Sequence, residues 1–270
     1  MARLHHISAL AYVFFLVATI GIAVRPAEAQ KISPVPCLDP LGCPDLIVDG
    51  GPAGLGQWVI VKETYSATDC AVVEGTTQAG DRRLIRFTYT TPNLGPGDLI
   101  IGNPADHPEW FEFATCHSHL HFREYADYRL WTTRGYEEWQ ALRTDNPDAL
   151  TADLLKKVRN LDEKMVAGAK LGFCVIDIIP ATSAPGYVGP PPGPGKYFSC
   201  GSNQGISVGW ADSYFFVDLD GQWFDITDVS PGDYMMEAEV NPERLFTEAS
   251  YSNNAAAVEV AIPDRTGKTG

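Results

Sequence analysis

The residues with the clearest chemical content are His117, His119 and His121, set at every second position of the stretch Trp110 to Phe122. That stretch reads as a β-strand, and period-2 alternation puts all three imidazoles on one face. Neutral imidazole is the side chain that borderline transition metals such as copper and zinc prefer, so the spacing predicts a metal site. On a flat strand successive imidazole roots stand about 6.6 Å apart. One ion can be held by all three only if a twist or bulge draws them together. The bland alternative is a polar strand edge facing solvent.

The elements that must position these histidines are mostly short β-rich runs. Asp45–Val48, Trp58–Val61 and Arg83–Tyr89 are separated by the clusters Gly50 to Gly56 and Thr91 to Gly97, the punctuation of strands and turns. Tyr125–Trp131 follows the histidine stretch as the returning strand of a hairpin or as its continuation. Strand character returns at Leu171–Ile178, Ser207–Val217, Gln222–Ile226, Tyr234–Val240 and Ala256–Ile262, and Pro180 to Gly195 reads as a long loop. The pattern predicts a mainly β fold, an antiparallel β-sandwich with long loops. One amphipathic helix is expected as an insertion, because Leu150, Leu154, Val158, Leu161 and Met165 recur at spacings of three and four. Its Lys156, Lys157 and Arg159 read as a solvated face.

The chain has 270 residues, 45% of them hydrophobic and 20% charged, enough for a substantial core. A net charge of -14 argues against nucleic acid as a partner and suits solubility or a cationic partner. Arg3, the apolar run Ile7 to Val24 and Ala27-Glu28-Ala29 predict a secretory signal over residues 1–29. Residues 30–270 then form a single domain, with 263–270 a fraying tail, and no later stretch spans a membrane. Export to a secreted or periplasmic location puts the six cysteines in an oxidising compartment, where disulfides are expected. Cys37 and Cys43 are close enough to pair locally. Cys70, Cys116, Cys174 and Cys200 allow three connectivities, among which spacing does not choose.

Several blocks in a fixed order resemble the catalytic domain of the lysyl oxidase family. They are Cys116-His-x-His-x-His121, Lys170-x-x-Phe-Cys174, Cys200 to Ser207, Gly209-Trp-Ala-Asp-Ser-Tyr214, Gln222 to Tyr234 and Val240 to Asn254. The match is close over the second half of the mature chain and looser over Asp45 to Phe87, and the short exported form looks like a bacterial member. The resemblance implies a copper amine oxidase whose redox group, lysine tyrosylquinone, is built from Lys170 and Tyr214, with His117, His119 and His121 as copper ligands. It implies conversion of primary amines, among them peptidyl lysine, to aldehydes, with molecular oxygen consumed and hydrogen peroxide and ammonia released. A free lysine is a poor nucleophile at its ordinary pKa, so Lys170 is expected to be desolvated or to sit beside positive charge. Asp212, two residues before Tyr214 and on the same face of an extended segment, is the candidate general base. The resemblance also suggests a disulfide between Cys116 and Cys200, which leaves Cys70 with Cys174.

The chain departs from the family pattern at Ala169, where a histidine is frequent, in the long insertion before Lys170, and in cysteines absent after Cys174. Two other readings compete. The segment Val240 to Asn254 followed by an alternating strand also looks like the last hairpin of a secreted immunoglobulin-like adhesion module, which would hold a metal without catalysis. A dismutase-like site is the weaker case, since only His5, His6 and His107 remain for a second metal. The combination of Lys170 with Tyr214 is what a binding module has no use for.

Overall fold

The computed structural model describes residues 33–217 and 220–264; the expected signal at 1–29, and 265–270 of the expected tail, lie outside them. The described residues fall within one compact unit, Ile32–Gly270. Their strands are β1 (Trp58–Tyr65), β2 (Gly80–Phe87), β3 (Tyr89–Pro92), β4 (Leu99–Gly102), β5 (Phe111–Ala114), β6 (His119–Phe122), β7 (Ala126–Thr132), β8 (Met165–Ala167), β9 (Ile179–Pro180), β10 (Gln204–Ile206), β11 (Trp210–Tyr214), β12 (Trp223–Asp225), β13 (Gly232–Val240) and β14 (Ala255–Ile262). The helices are short: α1 (Cys70–Val73), α2 (Thr133–Asp145), α3 (Thr151–Leu155) and α4 (Leu161–Lys164). The fold is therefore mainly β, as its rhythm of strands and turns predicts.

The strands pair antiparallel in five small sheets, ordered β14-β13-β7-β8, β1-β2-β12, β3-β11-β9, β10-β4 and β5-β6. Each sends alternate apolar residues into one shared core, whose centre is aromatic: Phe87, Tyr89, Phe122, Tyr125, Tyr128 and Phe173 are at most 1% exposed. These rings meet edge-on or tilted, Tyr89 with Tyr128 at 5.1 Å and Phe87 with Tyr128 at 4.9 Å, the geometry that adds to plain burial.

The insertion departs from expectation. Its apolar positions do pack inward, with Leu154 and Val158 against Trp131 and Trp139, but they lie on α3, α4 and the turns around them rather than on one helix. Asn160 takes a left-handed conformation, φ 53°, that breaks the run. The long helix, α2, precedes it, and its Thr132 cap accepts a hydrogen bond from Gly135 N–H. Arg129 anchors the insertion from below: fully buried, it donates to Asp127, Glu237 and Glu239, while Trp131 and Trp139 also donate to Glu237.

Two expected strands are extended segments without a ladder. Leu46 makes only an isolated bridge to Asn93. The stretch Leu171–Ile178 threads between sheets and spends its backbone groups on several of them: Phe173 exchanges hydrogen bonds with Phe122, Gly205 N–H donates to Val175, and Asp177 N–H donates to Tyr197. Neither offered relation for Tyr125–Trp131 holds either. The partner of β6 is β5, and β7 pairs with β13 in a different sheet.

Cys37 pairs with Cys43, as proximity predicts. The other two bridges differ from those the resemblance suggested: Cys70 joins Cys116 and Cys174 joins Cys200. The reason lies in the packing. Helix α1 sits beside the turn after β5, whereas Gln204 donates to the Cys200 carbonyl and accepts from Val175 N–H, drawing Cys174 and Cys200 together.

Candidate metal and amine site

Hairpin β5–β6 pairs Ala114 with His119 and Glu112 with His121, so residues 115–118 form its turn. His117 therefore stands in that turn and not on the strand. Ser118, at φ 57°, reverses the chain and swings the His117 ring back toward the other two. Ring centroids lie 4.8 Å apart for His119 and His121, 5.3 Å for His117 and His121, and 5.8 Å for His117 and His119. Three imidazoles on one ion, with metal–nitrogen bonds of about 2.0–2.1 Å, need centroids roughly 4.5–5.5 Å apart.

The Nε2 atoms of His119 and His121 are 3.0 Å apart, a spacing that two donors on one ion adopt. The Nε2 of His117 is buried without a hydrogen-bond partner among the described residues and lies 3.6 Å from a carboxylate oxygen of Glu74. Among the described residues no group of three or more His, Cys, Asp or Glu donors meets at one metal-binding point. His117 must turn its ring from Glu74 toward His119 and His121 to complete a set. Burial pushes all three imidazoles below their ordinary pKa, Lys170 acting in the same direction, and His121 falls to about 3. All three are thus neutral at pH 7, the form in which imidazole binds a metal.

Lys170 follows β8 on the segment that crosses behind the hairpin and is 7% exposed. Burial drives its amine down to about 8, although the nearby carboxylates of Glu74, Glu112 and Asp220 favour the ammonium. Desolvation is thus what lowers it, as its expected chemistry requires. Lys170 and His121 line the same pocket, about 340 Å³ in volume, whose walls include Val73, Glu74, Glu112 and Phe113.

Tyr214, at the end of β11, does not line that pocket. Its ring packs on Phe173 at 4.9 Å, and the Lys170 Nζ lies 5.1 Å from the same ring. Those two distances together bound the amine-to-phenol-ring separation at about 10 Å. The phenol donates to the Cys174 carbonyl, Gln222 holds the Tyr214 carbonyl, and burial with the Asp212 charge pushes the phenol well above its ordinary pKa. Asp212 lies deeper, 1% exposed, and among the described residues its carboxylate is approached only by the Ser213 N–H, without a well-formed hydrogen bond. Burial raises it well above the usual carboxylate range, only partly offset by the Ser213 N–H. Tyr89, Tyr125, Tyr128 and Tyr214 all feel its charge.

The structure thus groups His117, His119, His121 and Lys170, and sets Tyr214 outside the pocket that Lys170 lines, with both of them packed on Phe173. Glu74 and Phe173 escaped the sequence reading. Glu74, the C-cap of α1, accepts from Cys116 N–H, and the Cys70–Cys116 bridge ties the same helix to that turn, a pairing that spacing does not specify.

Comparison with known proteins gives a consistent relationship. The lysyl oxidase family model matches residues 151–269. The chain is 31% identical over 232 residues to protein-lysine 6-oxidase of Sus scrofa, covering 81% of this chain and 76% of that protein. It is 29% identical over 259 residues to lysyl oxidase homolog 1 of Homo sapiens, covering 92% of this chain and 36% of that protein. A third relative, protein-lysine 6-oxidase of Gallus gallus, is 32% identical over 182 residues, covering 67% of this chain and 34% of that protein. The chain spans only about a third of the length of the human and bovine lysyl oxidase homolog 1.

Proposed function

The chain belongs to the lysyl oxidase family, and on that premise we propose that it is a secreted, copper-dependent oxidase of primary amines, peptidyl lysine among them, carrying lysine tyrosylquinone made from Lys170 and Tyr214. The observation that carries this reading is the clustering of three neutral imidazoles near a desolvated lysine, which shares a pocket with one of them, His121. Export rests on the sequence; no helix among the described residues is long and apolar enough to cross a membrane.

The residues fit copper: an all-imidazole donor set, two nitrogens already 3.0 Å apart, and a third buried nitrogen left without a partner among the described residues. His117, His119 and His121 would hold the ion, the His117 ring leaving its 3.6 Å approach to Glu74 to do so. Bound copper with oxygen supplies the oxidation of the Tyr214 ring, and the finished quinone supplies a carbonyl and an electron sink for amine oxidation. Lys170 contributes a neutral amine. With its pKa at about 8, about a tenth of the molecules carry one at pH 7, against roughly one in three thousand for an ordinary lysine. Lys170 and Tyr214 both pack on Phe173, and joining them would bring the amine to the phenol ring within that shared neighbourhood. Asp212 would serve as general base, since a raised pKa makes the ionised carboxylate a stronger proton acceptor.

The absence of Tyr214 from the lining of the Lys170 pocket is what favours the second reading, a metal-binding module in which Lys170 and Tyr214 never join. One experiment divides the two. Copper and air should produce a Lys170–Tyr214 crosslinked peptide pair and peroxide release that depends on added primary amine. Lys170→Arg, which offers no neutral amine, should still bind copper yet give neither; amine oxidation by that variant would overturn the assignment of the cofactor.

A further inference from the structure

We infer a second binding site, one that takes a small sugar acid: a polyhydroxylated ring carrying a carboxylate. It is the cavity of about 280 Å³ between α2 and the turn that joins β13 to β14, and it shares no lining residue with the pocket of Lys170 and His121.

Three observations carry it. First, the cavity has an unanswered cation. Arg244 lies on its wall, partly buried, with its guanidinium stacked on Tyr251 at 4.5 Å. It makes no salt bridge among the described residues, and its guanidinium donates at 3.3 Å to the Pro147 carbonyl. A guanidinium stacked by its face keeps its N–H edges for a planar acceptor, and a carboxylate matches that fork with two parallel bonds. The turn fixes it there: Asn241 and Arg244 both take left-handed backbone, φ 53° and 52°, and the Asn241 side chain braces the turn through Phe246. Second, the acids on the wall are already answered. Every carboxylate oxygen of Glu237 and Glu239 accepts from Arg129, Arg143, Trp131, Trp139 or Thr151. With Asp127 they make three carboxylates against Arg129 and Arg143, and Arg244 brings the group to neutrality. Third, the cavity is lined by a buried residue whose acceptor has nothing to accept. Asn254 is 1% exposed; its amide donates to the Val240 carbonyl and to Glu248, and its Oδ1 has no partner among the described residues. A bare buried amide oxygen is costly, and a hydroxyl is a neutral donor that satisfies it. Gln140 and Arg143 line the same cavity with further donors, and Tyr136, partly buried, offers a flat ring for the C–H face of a sugar. A volume at the lower end of the range for small-molecule sites suits one sugar ring rather than a chain of them.

Calorimetry on the copper-free protein at pH 7 tests this with three probes: glucuronate, glucose and cyclohexanecarboxylate. Glucuronate should bind at one site per chain. Glucose, which lacks the carboxylate, and cyclohexanecarboxylate, which lacks the hydroxyls, should each bind about tenfold more weakly or worse, the loss expected when a charged or buried polar partner goes unpaired. Arg244→Gln should weaken glucuronate by about the same factor and bring it level with glucose, while unchanged copper binding shows that the variant is folded. Cyclohexanecarboxylate binding as tightly as glucuronate would mean that water alone serves Asn254, and would overturn the inference. Glucuronate failing to bind, or binding Arg244→Gln as well as the parent, would overturn it too. The oxidase reading rests on other residues and stands or falls separately.

Discussion

Removing the Cys70–Cys116 bridge should damage the metal site more than its loss of stability explains. The bridge closes a loop of sequence separation 46, against 26 for Cys174–Cys200 and 6 for Cys37–Cys43. Chain entropy alone then assigns losses of about 4, about 3.5 and about 2.4 kcal/mol to the three double Cys→Ser variants. For a domain of this size, a loss of about 4 kcal/mol lowers Tm by roughly 8–16 °C. The Cys70–Cys116 bridge also ties α1, with Glu74 at its C-cap, to the turn that carries His117. Copper affinity, measured by competition with a chelator well below Tm, should therefore fall at least tenfold in Cys70→Ser/Cys116→Ser, the range seen when groups supporting metal ligands are lost. Cys37→Ser/Cys43→Ser, remote from the histidines, should lose stability and keep its copper affinity. If the two variants bind copper equally well, the turn holds its shape without the staple and the reasoning fails.

The remaining expectations are shorter. His119→Ala should abolish the binding of one equivalent of copper or zinc per chain; unchanged metal content by elemental analysis would sink the assignment of the histidines. Lys170→Met should stabilise the copper-free protein at pH 7 by up to about 3 kcal/mol, since burial takes the amine from 10.5 to about 8. The folded protein binds fewer protons than the unfolded chain across that window, so native stability rises with pH from about 8 to 10.5 and the gap between variant and parent closes; a pH-independent gap in denaturant melts would refute this. Arg129→Met leaves Asp127, Glu237 and Glu239 facing one another with Arg143 as the one guanidinium paired with them among the described residues. It should cost about 3–5 kcal/mol, and a loss under about 1 kcal/mol would show that the network is dispensable.

What sequence revealed here was chemistry carried by types and order, and what it concealed was contact. The nearness of Lys170 to the histidines was legible because each belongs to an ordered block, and the antiparallel strands because turn residues punctuate them. The position of His117 was not, since period-2 spacing fits a strand and a strand-plus-turn equally well until Ser118 adopts φ 57°. The insertion misled for a related reason: apolar spacing reports which side chains go inward, and Leu154 and Val158 do, but the turn at Asn160 leaves that spacing unaltered. Disulfide partners depend on tertiary packing, so neither Cys70 with Cys116 nor Cys174 with Cys200 could be chosen from separation. Glu74 carried no signal at all, being one carboxylate among many in an acidic chain.

The backbone of Phe173 is bonded in both directions to Phe122, with N–H to O distances of 2.7 and 3.1 Å, and Phe122 is the residue after His121. The ring on which both Lys170 and Tyr214 pack is thus mounted one rung away from His121. A shift of the hairpin that drew its histidines onto an ion would pass, one residue along and one hydrogen-bonded rung across, to the side chain that both residues touch. Zinc, which would pull on the hairpin without supporting any oxidation, should therefore alter the surroundings of Tyr214 without changing its ring.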